Sequence, residues 1–315
     1  MKLAKDVHSL INVHPDLKKY NLPLMETLNP CQQAYYFDSD NYCITYRIKL
    51  DLLNFSRWRL KVPTRVVGFP FSICHQGFKG NLEDVLPQIK GLTVVLNANE
   101  KLEKNCGNTL STYVFENRFK DFESYLKALR SPYRYRINKA LKKGKTLKIK
   151  TIEPQAFNSK YYKLYEEVFN NSNDQLEKLT LDFFQTYPAE IITFEDYLGE
   201  AVGFVQLKIV SNELMFLFGG FNKEVNLKYD LYYNMLLYII KRGIESKVKT
   251  INMGQTADES KIKVGCTEEE KYLYCYHSNR LLNKLINTLI PLFSFKRYAI
   301  KHHVFKEGNH ADSAL

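Results

Sequence analysis

The segment from Asn212 to Gly265 constrains this chain more than any other part of it. It reads NELMFLFGGFNKEVNLKYDLYYNMLLYIIKRGIESKVKTINMGQTADESKIKVG. A strand-like run reaches the pair Gly219-Gly220, and a polar connection follows. Apolar residues then recur at helical spacing from about Leu227 to Glu245. A second strand, Thr250–Met253, breaks at Gly254, and a short polar stretch leads into Lys261-x-x-Val264-Gly265. Strand, long helix and strand in this order belong to an α/β layer.

The remaining chain supplies similar pieces. Its 315 residues suffice for one large domain or two ordinary ones. Strand-like segments fall at 41–53, 65–68 and 92–96, with one or two helical turns over 82–89, which gives a first α/β lobe over 1–118. Helical spacing over 119–130 stops at Ser131-Pro132, which starts a second helix that Gly144 ends, so 119–146 reads as a basic helical connector. A strand at 147–152, helices at about 161–170 and 175–187, and strands at 190–197, 202–210 and 213–221 precede the segment described above. With the aromatic strand 271–277 they make a second lobe over 147–280. Residues 281–315 form a C-terminal amphipathic helix and tail, with Leu281, Leu282, Leu285, Ile286, Leu289 and Ile290 at helical spacing ahead of Lys296, Arg297 and Lys301. A helix docked on the sheet is the favoured reading, and an interfacial helix on a membrane is the alternative.

The composition excludes several classes. No apolar run reaches the roughly 18 residues of a spanning helix. The N-terminus MKLAKDVHSLINVHPDLKK lacks a secretory signal, so a cytoplasmic location is expected. Six cysteines without a C-x-x-C pair argue against a disulfide scaffold and a zinc site, and no metal is expected. A net charge of +11 points to a polyanionic partner such as tRNA, a nucleotide-linked substrate, a lipid pyrophosphate or an anionic membrane.

The order of these elements resembles the C-terminal half of GNAT-fold acyltransferases, in particular the FemABX-type branch. Gly219, Gly220, Arg242, Gly243, Gly254, Gln255, Thr256, Lys261, Val264 and Gly265 match its pattern, and Phe122–Leu141 is similar to the helix pair ahead of its second lobe. The resemblance implies an α/β (α+β) fold of two tandem GNAT-like lobes, with mixed central sheets flanked by helices. It implies an N-acyltransferase that moves an acyl or aminoacyl group from a thioester or an aminoacyl-tRNA to an amine. The acceptor would be a small molecule or be linked to a lipid or nucleotide, in cell-envelope or amino-acid-conjugate biosynthesis, with the protein cytoplasmic or peripheral at the inner membrane face.

Within that frame Lys261 is expected to stabilise the developing oxyanion, with Lys263 as a competitor, and Gln255 and Thr256 to orient the acceptor. Gly219, Gly220, Asn222, Lys228 and Gly254 occupy the positions of the donor site. The stretch Asn222–Asp230 holds no glycine where acyl-CoA enzymes place a Gly-rich phosphate loop, which weighs toward a donor other than acyl-CoA. Arg130–Lys150 carries nine basic residues and no acidic one. In that run Arg134, Arg136, Lys139 and Lys143 are the expected phosphate-binding groups. A solvated connecting helix explains the same charges. A polyanion-binding module without catalysis, on a degenerate GNAT scaffold, is the rival reading of the whole chain.

Overall fold

A computed structural model describes residues 2–4, 6–29, 31–51, 61–71, 73–172, 177–295 and 301–306. The first half of the chain forms β1 (Lys2–Ala4), α1 (Val7–Val13), α2 (Leu22–Leu28), β2 (Gln33–Phe37), β3 (Tyr42–Asp51), β4 (Lys61–Val67), β5 (Phe78–Lys79), α3 (Leu82–Val85), β6 (Leu92–Ala98) and β7 (Cys106–Asn108). There follow β8 (Thr112–Glu116), α4 (Phe122–Ala128), α5 (Ser131–Gly144), β9 (Lys148–Ile152), α6 (Ser159–Asn170), α7 (Leu181–Thr186), β10 (Glu190–Glu195), β11 (Ala201–Val210) and β12 (Glu213–Phe221). The last part forms α8 (Asn226–Tyr229), α9 (Leu231–Glu245), β13 (Thr250–Asn252), α10 (Asp258–Lys263), β14 (Thr267–Glu269), β15 (Tyr272–His277) and α11 (Arg280–Leu289).

The chain divides into two compact units, each with its own sheet. The first unit takes the chain up to Ser111, residues 177–179 and the segment from Glu270. Its sheet runs β1-β2-β3-β4-β6-β15-β7, with β5 paired to β3. Within it β4 and β6 pair in parallel, from Thr64 opposite Leu92 to Val67 opposite Val95. Val67, Leu82, Val85, Leu86, Ile89 and Val95 close one core over that pair.

The second unit holds a sheet in the order β14-β8-β13-β12-β11-β10-β9, in which β12 and β13 are the parallel pair. Helix α9 makes the crossover between them. Ten of its fifteen residues are buried, among them Leu231, Met235, Leu236, Ile239 and Ile240. Burying each large apolar side chain contributes roughly 1.5–3 kcal/mol, which fixes α9 on the sheet. Helices α4 and α5 join the same core through Tyr125, Leu129, Ile137 and Ala140. On the opposite face Phe157, Phe184 and Tyr165 pack with Phe204 and Phe218 of the sheet. Gly220 permits that layer, since a Cβ there would lie 2.5 Å from the Leu164 backbone of α6.

The unit boundaries differ from those expected from sequence. Strand β15, expected in the second lobe, lies between β6 and β7 of the first sheet. Strand β8, expected in the first lobe, lies between β13 and β14 of the second. In each sheet the second strand of the parallel pair needs a further ladder partner, and a distant part of the chain supplies it. The expected connector 119–146 is not a separate body, because α4 and α5 share the second unit's core. The helix expected over 175–187 shortens to α7, the first two residues of that expectation (175–176) lying outside the described residues.

Candidate functional site

The parallel ladder of β12 and β13 is short. It runs from Glu213 opposite Thr250 to Met215 opposite Asn252. Beyond that rung β12 continues to Phe221, with a register shift that places Gln206 opposite Phe218 but Leu207 opposite Phe216. The chain after β13 stays instead with β8: Met253 N–H donates to Tyr113 O at 2.8 Å, and Tyr113 N–H donates to Gly254 O at 3.1 Å. The strands therefore part at the carboxyl end of a parallel pair, where ligands collect in α/β sheets.

The loop leaving this fork is strained. Gly254, Thr256 and Ala257 have φ of +72°, +64° and +55°. Glycine adopts that conformation freely, but a β-branched threonine does not, and each non-glycine residue held there costs about 1–3 kcal/mol. The loop turns the chain into α10, whose N-cap, Ala257, offers no side-chain cap.

That turn sends Lys261 inward. It is 2% exposed, its ammonium donates to Gln255 O at 2.6 Å, and it lies 5.8 Å from the centre of the Tyr113 ring. An ammonium so enclosed is worth more electrostatically than one in water. Cys266 is buried nearby, and its thiol is pushed up to about 12 by burial, with Lys261 pulling the other way, so it stays protonated. Lys263 turns outward and pairs with Glu259, whose carboxyl it holds below the ordinary range. Of the two lysines weighed from sequence, the structure places Lys261 inside the fold beside the strained loop.

The other expected residues separate into distinct places. Gly254, Gln255 and Thr256 share the Lys261 loop. Gly219 and Gly220 serve packing: a Cβ on Gly219 would meet the Phe216 ring at 2.9 Å. Asn222 closes a turn by accepting from Glu224 N–H at 2.8 Å. Lys228 lies in α8 over the Tyr197 and Tyr229 rings at 4.9 and 4.8 Å. At the start of α9, Tyr232 N–H already donates to Asn226 Oδ1 at 2.9 Å.

The basic helix α5 does not present one phosphate cradle. Its Lys143 donates to Leu227 O at 2.8 Å and pairs with Asp230 at 3.2 Å, which ties α5 to the start of α9. Arg136 lies 5.2 Å over the Tyr233 ring and within electrostatic reach of Glu259. Arg134 is half-buried, and Lys139 is exposed. Two carboxylates at the end of β10 are engaged as well: Glu195 pairs with Lys150 at 2.7 Å, and Asp196 accepts from Leu198 and Glu200 N–H.

Tyr113 and Ala257 were not legible as site residues. Tyr113 comes from β8, more than a hundred residues from Lys261, and nothing local marks it. In the first unit Gln76, Asn81, Asn99, Glu100 and Tyr274 line a cleft of about 420 Å³ near the end of β6. Its polar groups largely bond one another: Asn99 N–H donates to Gln76 Oε1 at 3.1 Å, and Gln76 Nε2 donates to Phe78 O at 2.9 Å. Tyr274 hydroxyl accepts from Leu102 N–H at 2.8 Å, so this tyrosine is both core and cleft wall.

No protein-family model matches the chain, and a search of curated proteins finds no match either. Solved structures do match. FemX is 10% identical, with 91% of this chain and 100% of that one covered at a TM-score of 0.55. L-PGS from Bacillus licheniformis is 14% identical, with 89% and 96% covered at a TM-score of 0.52. The C-terminal domain (DUF2156) of a putative lysylphosphatidylglycerol synthetase from Agrobacterium fabrum is 10% identical, with 88% and 96% covered at 0.51. At such identities the likeness is one of fold. The chain has the GNAT-like, FemABX-type fold of two mixed α/β lobes expected from its sequence.

Proposed function

We propose that the second unit carries the chemistry of an N-acyltransferase, with aminoacyl-tRNA as donor. The acceptor amine attacks the carbonyl carbon of the aminoacyl ester, and a C–N bond forms. The carbonyl oxygen takes the negative charge, and Lys261 and loop N–H groups stabilise it. The C–O bond to the tRNA ribose then breaks, the ribose oxygen takes up a proton, and the amine nitrogen loses one to water or a nearby carboxylate. The observation that carries this reading is the buried Lys261 ammonium, held at Gln255 O beside the strained loop where the parallel strands part.

Two further observations favour this donor over acyl-CoA. At the start of α9 the Tyr232 N–H is filled by Asn226, and the Asp230 carboxylate stands beside it, an arrangement that repels a pyrophosphate. The basic stretch Arg130–Lys150 suits a polynucleotide. One fold neighbour is named a putative lysylphosphatidylglycerol synthetase, a name that supports aminoacyl transfer and leaves the amine acceptor to the reading of this site.

Calorimetric titration with coenzyme A, acyl-CoA thioesters and charged tRNA tests the assignment. Saturable binding of charged tRNA without coenzyme A binding supports it. Micromolar binding of acyl-CoA overturns the choice of donor. Salt-sensitive binding of any polynucleotide with no transfer to any amine returns the chain to the polyanion-binding reading.

A further inference from the structure

The leucine side of α11 is turned to solvent. Leu281, Leu282, Leu285 and Leu289 are 77%, 45%, 53% and 38% exposed, and no residue of the helix is buried. Leu281, Leu285 and Leu289 follow one another at spacings of four and form a single line, with Leu282 beside it. Just beyond the helix Phe295 is 38% exposed as well. The expected packing of this apolar face onto the sheet is therefore not what the structure shows.

The helix is fastened by its polar side instead. Asn105 Nδ2 donates to Asn283 Oδ1 at 2.7 Å, and Asn105 N–H donates to Asn287 Oδ1 at 2.7 Å. His277 N–H donates to Asn283 Oδ1 at 3.1 Å, and Asn279 caps the first turn by accepting from Leu281 and Leu282 N–H. Buried Ile290 anchors the far end. An amide network of this kind orients the helix without using its leucines. It leaves an apolar stripe rigidly displayed, which a monomeric soluble surface avoids.

The charge around the stripe selects its partner. Between Lys271 and Phe295 the chain holds three basic residues, Lys271, Arg280 and Lys284, and no acidic one. Arg280 and Lys284 lie on α11 itself. A second copy of a chain of net charge +11 would bring like charge against like, whereas an anionic lipid surface is complementary in charge and apolar beneath its headgroups. The helix has ten residues and is about 15 Å long, so it lies on a bilayer rather than across it. We infer that α11 is an interfacial anchor that docks this protein on an anionic phospholipid bilayer through Leu281, Leu282, Leu285 and Leu289. This inference does not depend on the proposed transfer chemistry.

Co-sedimentation of the full chain with phosphatidylglycerol-containing vesicles, and with pure phosphatidylcholine vesicles, tests it. Binding to the anionic vesicles that weakens with salt is expected. The double variant Leu281→Ser/Leu285→Ser should bind at least about tenfold more weakly, from lost apolar burial. Each of Arg280→Gln and Lys284→Gln should weaken binding about fivefold. Both leucines are exposed, so melting temperature and transfer to a soluble amine should stay at the wild-type level, which separates failure of the anchor from failure of the enzyme. Three results overturn the inference. They are no binding to either vesicle, binding indifferent to the leucine substitutions, and a concentration-dependent dimer that the double variant abolishes.

Discussion

The two units are built on one plan and differ in what they bury. Each sheet is antiparallel except for one parallel pair, β4 with β6 and β12 with β13. The first unit encloses a carboxyl group: Glu177 accepts from Phe71 N–H, while its buried Oε2 has no partner among the described residues. Burial pushes that carboxyl up to about 7. The second unit encloses an ammonium, Lys261, at the carboxyl end of its parallel pair. A carboxyl group escapes its burial cost by taking a proton near neutrality, whereas the ammonium is satisfied by the Gln255 carbonyl. Each sheet thus has one parallel pair, and the buried ammonium beside a strained loop belongs to the second unit alone of the two groups compared.

Three substitutions sharpen this contrast, in order of decreasing effect on stability. Gly265 follows α10 with φ of +103°, and a Cβ there would meet the Phe305 ring at 2.5 Å. Gly265→Ala should lower stability by roughly 2–4 kcal/mol in urea unfolding, from strain and overpacking together. A wild-type midpoint would show that the Lys261 loop is loosely held.

Glu177→Gln acts on the first unit. The native carboxyl keeps its proton to a higher pH than the unfolded chain does. Stability from this group is therefore complete below about pH 4.5 and is lost as pH rises toward 7, after which the loss is constant. The glutamine carries no charge, so that slope should disappear, with a gain of about 3 kcal/mol above about pH 8. Transfer activity should not change. Parallel stability-versus-pH curves for variant and wild type would refute a buried carboxyl in the first unit.

The smallest effect belongs to Lys263→Ala, which removes a surface pair with Glu259 four residues away. Stability should change by no more than about 0.5 kcal/mol, with transfer unchanged. A large loss of transfer would move the chemistry from Lys261 to its neighbour.

Much of this was legible locally. The 213–253 order of strand, helix and strand follows from hydrophobic periodicity, and α4 and α5 fall where the Ser131-Pro132 break puts them. The helix start differs by one residue, with Arg130 rather than Ser131 at the N-cap. The pairing of β15 with β6 and of β8 with β13 was not legible, because ladder partners far apart in sequence leave no local signal. The geometry of the candidate site was legible in part. Lys261 and its loop were named from the order of elements, but the burial of Lys261 and the pairing of half-buried Lys263 with Glu259 depend on the turn that Thr256 and Ala257 impose. Helix α11 shows the limit of periodicity: an apolar stripe identifies an apolar partner, and only the asparagine contacts show that the partner is not the sheet.

The most direct test of the account is single-turnover transfer from charged tRNA to an amine acceptor by Lys261→Met against the wild type. Methionine keeps most of the side-chain volume and removes the charge, so the fold should be retained at an equal or higher melting temperature. The account predicts a rate lower by about 10²–10³, the loss typical of removing one oxyanion-stabilising group. A wild-type rate from the folded variant would contradict it.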